Sequence, residues 1–77
     1  MPTAARIGPY RFFFYSRDCE EPIHIHVERE DKEAKFWVDP VRLERPGGFR
    51  PGELRRIERL VIAYRESLIQ KWHEHCQ

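Results

Sequence analysis

Two histidines, His24 and His26, are the residues whose type and spacing most directly suggest chemistry. They alternate with Ile23, Ile25 and Val27, and this period of two predicts a β-strand that carries both imidazoles on one face. Imidazoles about 7 Å apart along a strand can ligate a metal, transfer protons at neutral pH, or form the polar side of a half-buried sheet. The residues alone leave these three alternatives open.

The surrounding sequence favours acid–base chemistry or RNA contact over metal binding at this pair. Asp18, Cys19 and Glu21 lie just upstream on a predicted loop, but they do not complete the ligand spacing of a metal motif. We therefore expect no metal and no other cofactor. In a metal-independent RNA cleavage, His24 and His26 would serve as general base and acid.

Cations and flat rings are predicted to share the sheet face of the histidines. Lys35 and Trp37 alternate with apolar residues on the next predicted strand, and alternate residues of 12–15 add further rings. Stacking on such rings contributes about 1–3 kcal/mol per unpaired base. Arg11, Lys35 or the arginines at the start of the predicted helix would hold the charge that develops on phosphorus. Aromatic residues in a small domain are also typical of a core, or of a surface that docks another protein.

A basic cluster at the start of the predicted C-terminal helix is the second candidate site. It consists of four arginines: Arg50, Arg55, Arg56 and Arg59. Because the N-terminal end of a helix is already positive, cations there are unfavourable and a phosphate would relieve them. The other interpretation is a solvated helix face on which Glu53 and Glu58 pair with their neighbours.

The predicted strands and helix that carry these residues indicate an α+β fold in one domain, residues 1–77. Strands are expected within residues 4–39, as a small antiparallel sheet of three to four strands. Residues 40–50 are interpreted as a connection, and a helix is predicted over about 51–75. Its apolar stripe comprises Leu54, Ile57, Val61, Tyr64, Leu68 and Trp72. The sheet is therefore predicted to pack on one long amphipathic helix.

Length and composition limit the class of protein. A chain of 77 residues buries a modest core, which a homodimer or another partner could complete. Its two cysteines have no metal-like or framework spacing, which argues against a disulfide scaffold and favours a reducing compartment. No signal-like or membrane-spanning apolar run is present, so we expect a cytoplasmic protein without membrane contact.

Charge and motifs narrow the function further. The net charge of +1 gives no global signal for nucleic-acid binding, although the basic excess lies in residues 41–77. The sequence has no Gly-rich phosphate loop, no Cys-x-x-Cys and no nucleophile elbow. Nucleotide hydrolases, zinc ribbons and α/β-hydrolases are thereby disfavoured.

Most of the chain resembles a family of small bacterial proteins. The resemblance is carried by residues 6–16, Asp18, Glu21-Pro22, residues 24–27 and residues 34–37. The family is Domain of Unknown Function four-one-six-zero (DUF4160). The resemblance implies the toxin-like half of a type II toxin–antitoxin module, whose cognate antitoxin-like partner belongs to Domain of Unknown Function two-four-four-two.

Two functions of different classes are consistent with this resemblance. The first is a small toxin that cleaves or binds RNA through the His-x-His strand, and is thus a candidate endoribonuclease. The alternative is a non-catalytic module that docks a partner protein through its aromatic sheet face, with the histidines contributing at most pH sensitivity.

Overall fold

The computed structural model describes residues 3–77 and folds them into a five-stranded antiparallel sheet with two C-terminal helices. The strands are β1 (Thr3–Ile7), β2 (Tyr10–Phe13), β3 (His24–Arg29), β4 (Lys32–Val38) and β5 (Val41–Arg45). The helices are α1 (Pro51–Ala63) and α2 (Arg65–His75). Each strand pairs with its neighbour in the chain, so the sheet is a meander.

The core lies between the helices and one face of the sheet. Alternation along the strands sends one set of apolar side chains to this face: Phe12, Ile25, Val27, Ala34, Phe36 and Val38. The helices cover it with Ile57, Val61, Leu68 and Trp72, all of them buried. The predicted sorting of β3 is confirmed, because Ile25 and Val27 face the helices and the two histidines face the other way.

The α+β class is confirmed, but the sheet has one strand more than the sequence predicted. Residues Val41–Arg45, interpreted as part of a connection, pair with β4 as β5. Val38 lies directly opposite Val41, so Asp39 and Pro40 form a tight turn between the two strands. A proline lacks an N–H and ends a ladder, but it does not prevent the chain from turning back on itself.

The prediction of a single long helix is also wrong, because the helix is interrupted at Tyr64. This residue has φ −104° and ψ 14°, and its side chain is 43% exposed, so it does not belong to the buried stripe. An uninterrupted helix of 25 residues would be about 37 Å long. The longest dimension of the molecule is 34 Å. The interruption lets Leu68 and Trp72 on α2 pack on the same small sheet as α1.

The two cysteines form a disulfide, contrary to the expectation from their spacing. Cys19 and Cys76 are 57 residues apart, and the bond joins the segment before β3 to the end of α2. It removes the basis for inferring a reducing compartment from cysteine usage. No helix among residues 3–77 has both the length and the apolar character needed to cross a bilayer.

Glu53 ties the start of α1 to the sheet. Arg29 donates two hydrogen bonds to its carboxylate, at 2.8 and 2.9 Å, and the hydroxyl of Tyr10 donates a third at 2.7 Å. The carboxylate also lies in the first turn of the helix, where the helix dipole favours negative charge. The hydrogen bonds from Arg29 and then from Tyr10 hold the pKa of Glu53 below its ordinary value of 4.5.

We expect Glu53 to make the protein sensitive to acid. Because the pKa of the carboxyl is lower in the folded state, its stabilising effect is present above pH 4.5 and is lost as the pH falls through the folded value. Replacement of Glu53 by Gln should remove this component of the pH dependence, as measured by denaturant unfolding between about pH 3 and 7. Glu66→Gln, at an exposed carboxylate in the first turn of α2, is the control and should retain the parent profile. An unchanged profile in Glu53→Gln would contradict the assignment.

Candidate functional site

His24, His26 and Asp18 meet in a buried group, which we call the histidine–aspartate cluster. The Nε2 atom of His24 lies 3.1 Å from Oδ1 of Asp18, and Nε2 of His26 lies 3.1 Å from Oδ2. The three residues are 0%, 4% and 6% exposed, respectively. One carboxylate is therefore shared between two imidazoles, with one oxygen facing each ring.

Asp18 reaches the histidines because the segment between β2 and β3 folds back over β3. Asp18 begins a short 3-10 helix, Asp18–Glu20. Its carboxylate accepts a 2.8 Å hydrogen bond from the backbone N–H of Tyr15, and its own N–H donates to the carbonyl of Tyr15. The next residue, Cys19, is bonded to Cys76 at the end of α2. The carboxylate is thus held by its own turn and by a covalent tie to the helix.

The imidazole nitrogens that face Asp18 are close to it but are not aligned for hydrogen bonds. Within residues 3–77, neither Nε2 atom has a hydrogen-bond partner, although both are buried. The Nδ1 atom of His24 lies 2.9 Å from the carbonyl of Pro22, and since a carbonyl only accepts, this Nδ1 carries a proton. In the neutral ring of His24, the atom facing Asp18 is then a lone pair. Buried nitrogens without a partner are rare in proteins and are costly.

Aromatic rings enclose the cluster. Four of them pack against the two imidazoles: Phe13, Tyr15, Trp37 and Trp72. Trp72 of α2 lies 5.2 Å from the ring of His24, and Tyr15 lies 4.6 Å from that of His26. The strand face that carries the two histidines is therefore covered by the segment before β3 and by these rings.

Burial and hydrogen bonding set the charges around the cluster. Burial lowers the pKa of His26, although Asp18 acts in the opposite direction. Burial also acts to raise the pKa of Asp18, but the pKa lies below its usual value, and the largest opposing cause is the hydrogen bond from the backbone N–H of Tyr15. Burial and the hydrogen bond to Glu33 raise the pKa of Tyr15 to about 12. The phenol of Tyr15 therefore stays protonated and donates to the carboxylate of Glu33, at 2.8 and 2.9 Å. Because its pKa is lowered, Asp18 is ionised in the cluster.

The sheet residues predicted to contact RNA do lie on the face of the histidines, but their charges are already paired. Lys35 is opposite His26, and its Nζ atom lies 2.6 Å from Glu21 and 4.8 Å from the ring centre of Trp37. Arg11 forms a 2.7 Å ion pair with Glu28. Trp37 is half-buried.

The arginines of α1 belong to a different region. Arg55, Arg56 and Arg59 are exposed, whereas Ile57 and Val61 of the same helix pack on the sheet face opposite His26. An open cleft of about 640 Å³ adjoins the start of the helix, and its lining includes three cations: Arg29, Arg50 and Arg56. The predicted site residues thus divide into a buried cluster and an exposed basic surface.

These features define a small α+β domain. Its antiparallel meander carries a buried histidine–aspartate cluster on one face and α1 on the other, and α2 reaches the cluster through Trp72 and the Cys19–Cys76 bond. The family model described as Domain of unknown function (DUF4160) matches residues 10–73, so the chain belongs to that family, and the resemblance noted from the sequence is confirmed. The matched range includes the cluster and the arginines of α1. Comparison with curated proteins and comparison with solved structures each found no match.

Proposed function

We propose that this protein is the toxin-like member of a two-protein toxin–antitoxin module and that it acts on RNA by binding phosphates at the start of α1. The supporting observation is that, in the described part of the chain, the arginine charges of this helix are exposed and not paired with carboxylates. Arg55, Arg56 and Arg59 are exposed and have no carboxylate within ion-pair distance among residues 3–77. Glu53, the acidic residue of the first turn, is already engaged by Arg29.

An anion is the natural complement of this surface. The helix dipole places positive charge at the N-terminal end of α1, and the arginine side chains add to it. Arg50 and Arg56 line the adjoining open cleft, together with Arg29 and Glu53, whose charges pair with each other. Arginine is suited to this role because its planar guanidinium binds phosphate oxygens in pairs.

The proposal assigns RNA binding to the accessible surface and does not depend on cleavage. Proton transfer by His24 and His26 would require their ring nitrogens to come within hydrogen-bond reach of a ribose and a phosphate. The side chain of His24 is 0% exposed, so such a substrate would first have to displace the segment between β2 and β3. The proposal requires only that RNA and a cognate antitoxin-like protein are available to the chain.

The experiment is a double charge reversal, Arg55→Glu with Arg59→Glu. We expect the variant to fold normally and to bind a single-stranded RNA oligonucleotide much more weakly in a fluorescence anisotropy titration. If the four arginines of this surface contact phosphates, the plot of log K against log salt has a slope of about −3 for the parent. The slope should decrease in magnitude by about 1.4 in the double variant.

The matched control is Arg42→Glu with Lys71→Glu, at exposed positions of β5 and α2. Both double variants lower the net charge from +1 to −3, since each reversal changes it by −2. If RNA binds at the start of α1, the variant Arg55→Glu with Arg59→Glu should bind RNA more weakly than this control. Equal losses would show a general effect of charge, and RNA binding by the parent that does not respond to salt would exclude the phosphate site.

A protein-docking module is the second candidate, favoured by the apolar surface at the break between the helices. Ile62 and Tyr64 are 55% and 43% exposed. The aromatic sheet face suggested by the sequence is less suited to docking, because Phe13 is fully buried and Trp37 is half-buried.

Expression of the chain with and without its genomic neighbour tests both candidates. Growth arrest that the neighbour relieves supports the toxin, and its loss in Arg55→Glu with Arg59→Glu would link toxicity to the basic surface. Relief that fails when Ile62 is replaced by Asp would place the partner at the helix break. A host that grows normally in all cases would favour the docking module alone.

A further inference from the structure

Contrary to the expectation from ligand spacing in the sequence, we infer that the histidine–aspartate cluster of Asp18, His24 and His26 binds one divalent transition-metal ion, with zinc as the ion to which its ligands are best suited. Two imidazoles and one carboxylate are a common ligand set for such ions. This inference is independent of the proposed RNA binding, because the cluster and α1 lie on opposite faces of the sheet.

The candidate ligand atoms of the cluster are close enough to converge on a single ion. Candidate ligand atoms of the three residues all lie within 4.8 Å of one another. Each Nε2 atom is 3.1 Å from an oxygen of Asp18. In a tetrahedral zinc site with bonds of about 2.0–2.1 Å, neighbouring ligand atoms are separated by about 3.3 Å. Small rotations of the side chains would therefore bring three donors onto one centre.

The unpartnered nitrogens give the independent indication of a cation. Both Nε2 atoms are buried, have no hydrogen-bond partner among residues 3–77, and point into the cluster that contains Asp18. Imidazolium rings paired with a carboxylate would direct their N–H groups at its oxygens, and that alignment is not found. A metal ion instead accepts the nitrogen lone pairs and neutralises the carboxylate, so that all three groups are satisfied together.

The atom behind the His24 imidazole is placed as in the second shell of a metal site. The Nδ1–H of His24 donates to the carbonyl of Pro22, which leaves Nε2 free to ligate. Behind His26 the nearest oxygen belongs to Glu33, which Tyr15 holds with two hydrogen bonds; it lies 3.6 Å from Nδ1, so this nitrogen has no hydrogen-bond partner among residues 3–77. A carbonyl or carboxylate behind a ligating histidine fixes its tautomer and increases its basicity. Three protein ligands leave a fourth position for a water molecule.

The test uses the full chain with its disulfide intact, treated with a chelator and then dialysed against Zn²⁺ alone. We expect about one zinc per chain by elemental analysis, and a melting temperature that rises with zinc and falls again with chelator. Co²⁺ in place of zinc should give the visible absorption of a low-symmetry, four- or five-coordinate site. Asp18→Asn and His26→Gln should each weaken zinc binding at least 100-fold. The control, His73→Gln at an exposed histidine of α2, should bind as the parent does.

A loss of zinc binding must be distinguished from a loss of folding in each variant. Circular dichroism of each metal-free variant establishes whether it is folded, and each zinc-induced shift is referred to the metal-free form of the same variant. Asp18→Asn preserves the size of the side chain, and the cobalt spectrum of the parent needs no substitution. A folded parent that takes up no stoichiometric zinc overturns the inference. So does a folded Asp18→Asn variant whose zinc affinity is within threefold of the parent's.

Discussion

Replacing Val61 by aspartate should unfold the protein. Val61 is completely buried on α1, in the core that joins this helix to the sheet. An unpaired charge at such a position costs about 3–5 kcal/mol, in addition to the lost packing, whereas a domain of this kind has a total stability of about 5–15 kcal/mol. We expect the variant to lose its helical circular dichroism and its cooperative thermal transition.

The neighbouring residue supplies the control for this prediction. Ile62 is 55% exposed, so Ile62→Asp introduces the same charge into the same helix without burying it. The variant should unfold with a free energy close to that of the parent. If Val61→Asp melted cooperatively near the parent temperature, α1 would not be packed on the sheet as described.

The second large effect should come from removing the disulfide. Cys19 and Cys76 close a loop with a sequence separation of 57 residues, and the chain-entropy model gives about 4 kcal/mol for a cross-link of that length. The double variant Cys19→Ser with Cys76→Ser should therefore lose a large part of the stability of the domain. Denaturant unfolding of the parent and the variant under the same buffer conditions measures the difference.

A reducing agent provides the matched comparison for the cysteine variant. Added to the parent, it should lower the stability to that of Cys19→Ser with Cys76→Ser, and it should leave the variant itself unchanged. Two titratable thiols in the folded parent, prepared without reductant, would contradict the pairing. Equal stability of the parent and the variant would show that the bond contributes little.

The sorting of side chains on the strands was predictable from the sequence. Alternation in residues 23–27 and 34–38 placed the histidines, Lys35 and Trp37 on one face, and the structure has them there. This succeeds because the period of two is a property of the backbone and does not depend on distant residues. For the same reason, the start of the C-terminal helix at Pro51 was predicted correctly from local signals.

Two errors in the elements have different causes. Residues 41–45 do alternate, with Val41 and Leu43 separated by polar residues, so β5 had a local signal that the interpretation as a connection overlooked; the structure pairs it with the edge of β4. The apolar stripe of the predicted long helix included Tyr64. In the structure the helix is interrupted at this residue, and α1 and α2 both pack in the core on the small sheet. Helical periodicity describes one face of a helix and carries no information on the size of the surface that the helix covers.

The sequence by itself determined the family, the α+β class, and the pairing of His24 with His26 on one strand face. Only the tertiary structure decided that this face is enclosed and that Asp18 joins the two imidazoles. The Cys19–Cys76 bond across the domain was likewise decided only there. The physical reason is that these features depend on how an irregular segment folds back and on contacts between residues far apart in the chain. Neither leaves a periodic signal in the sequence, whereas local backbone geometry does.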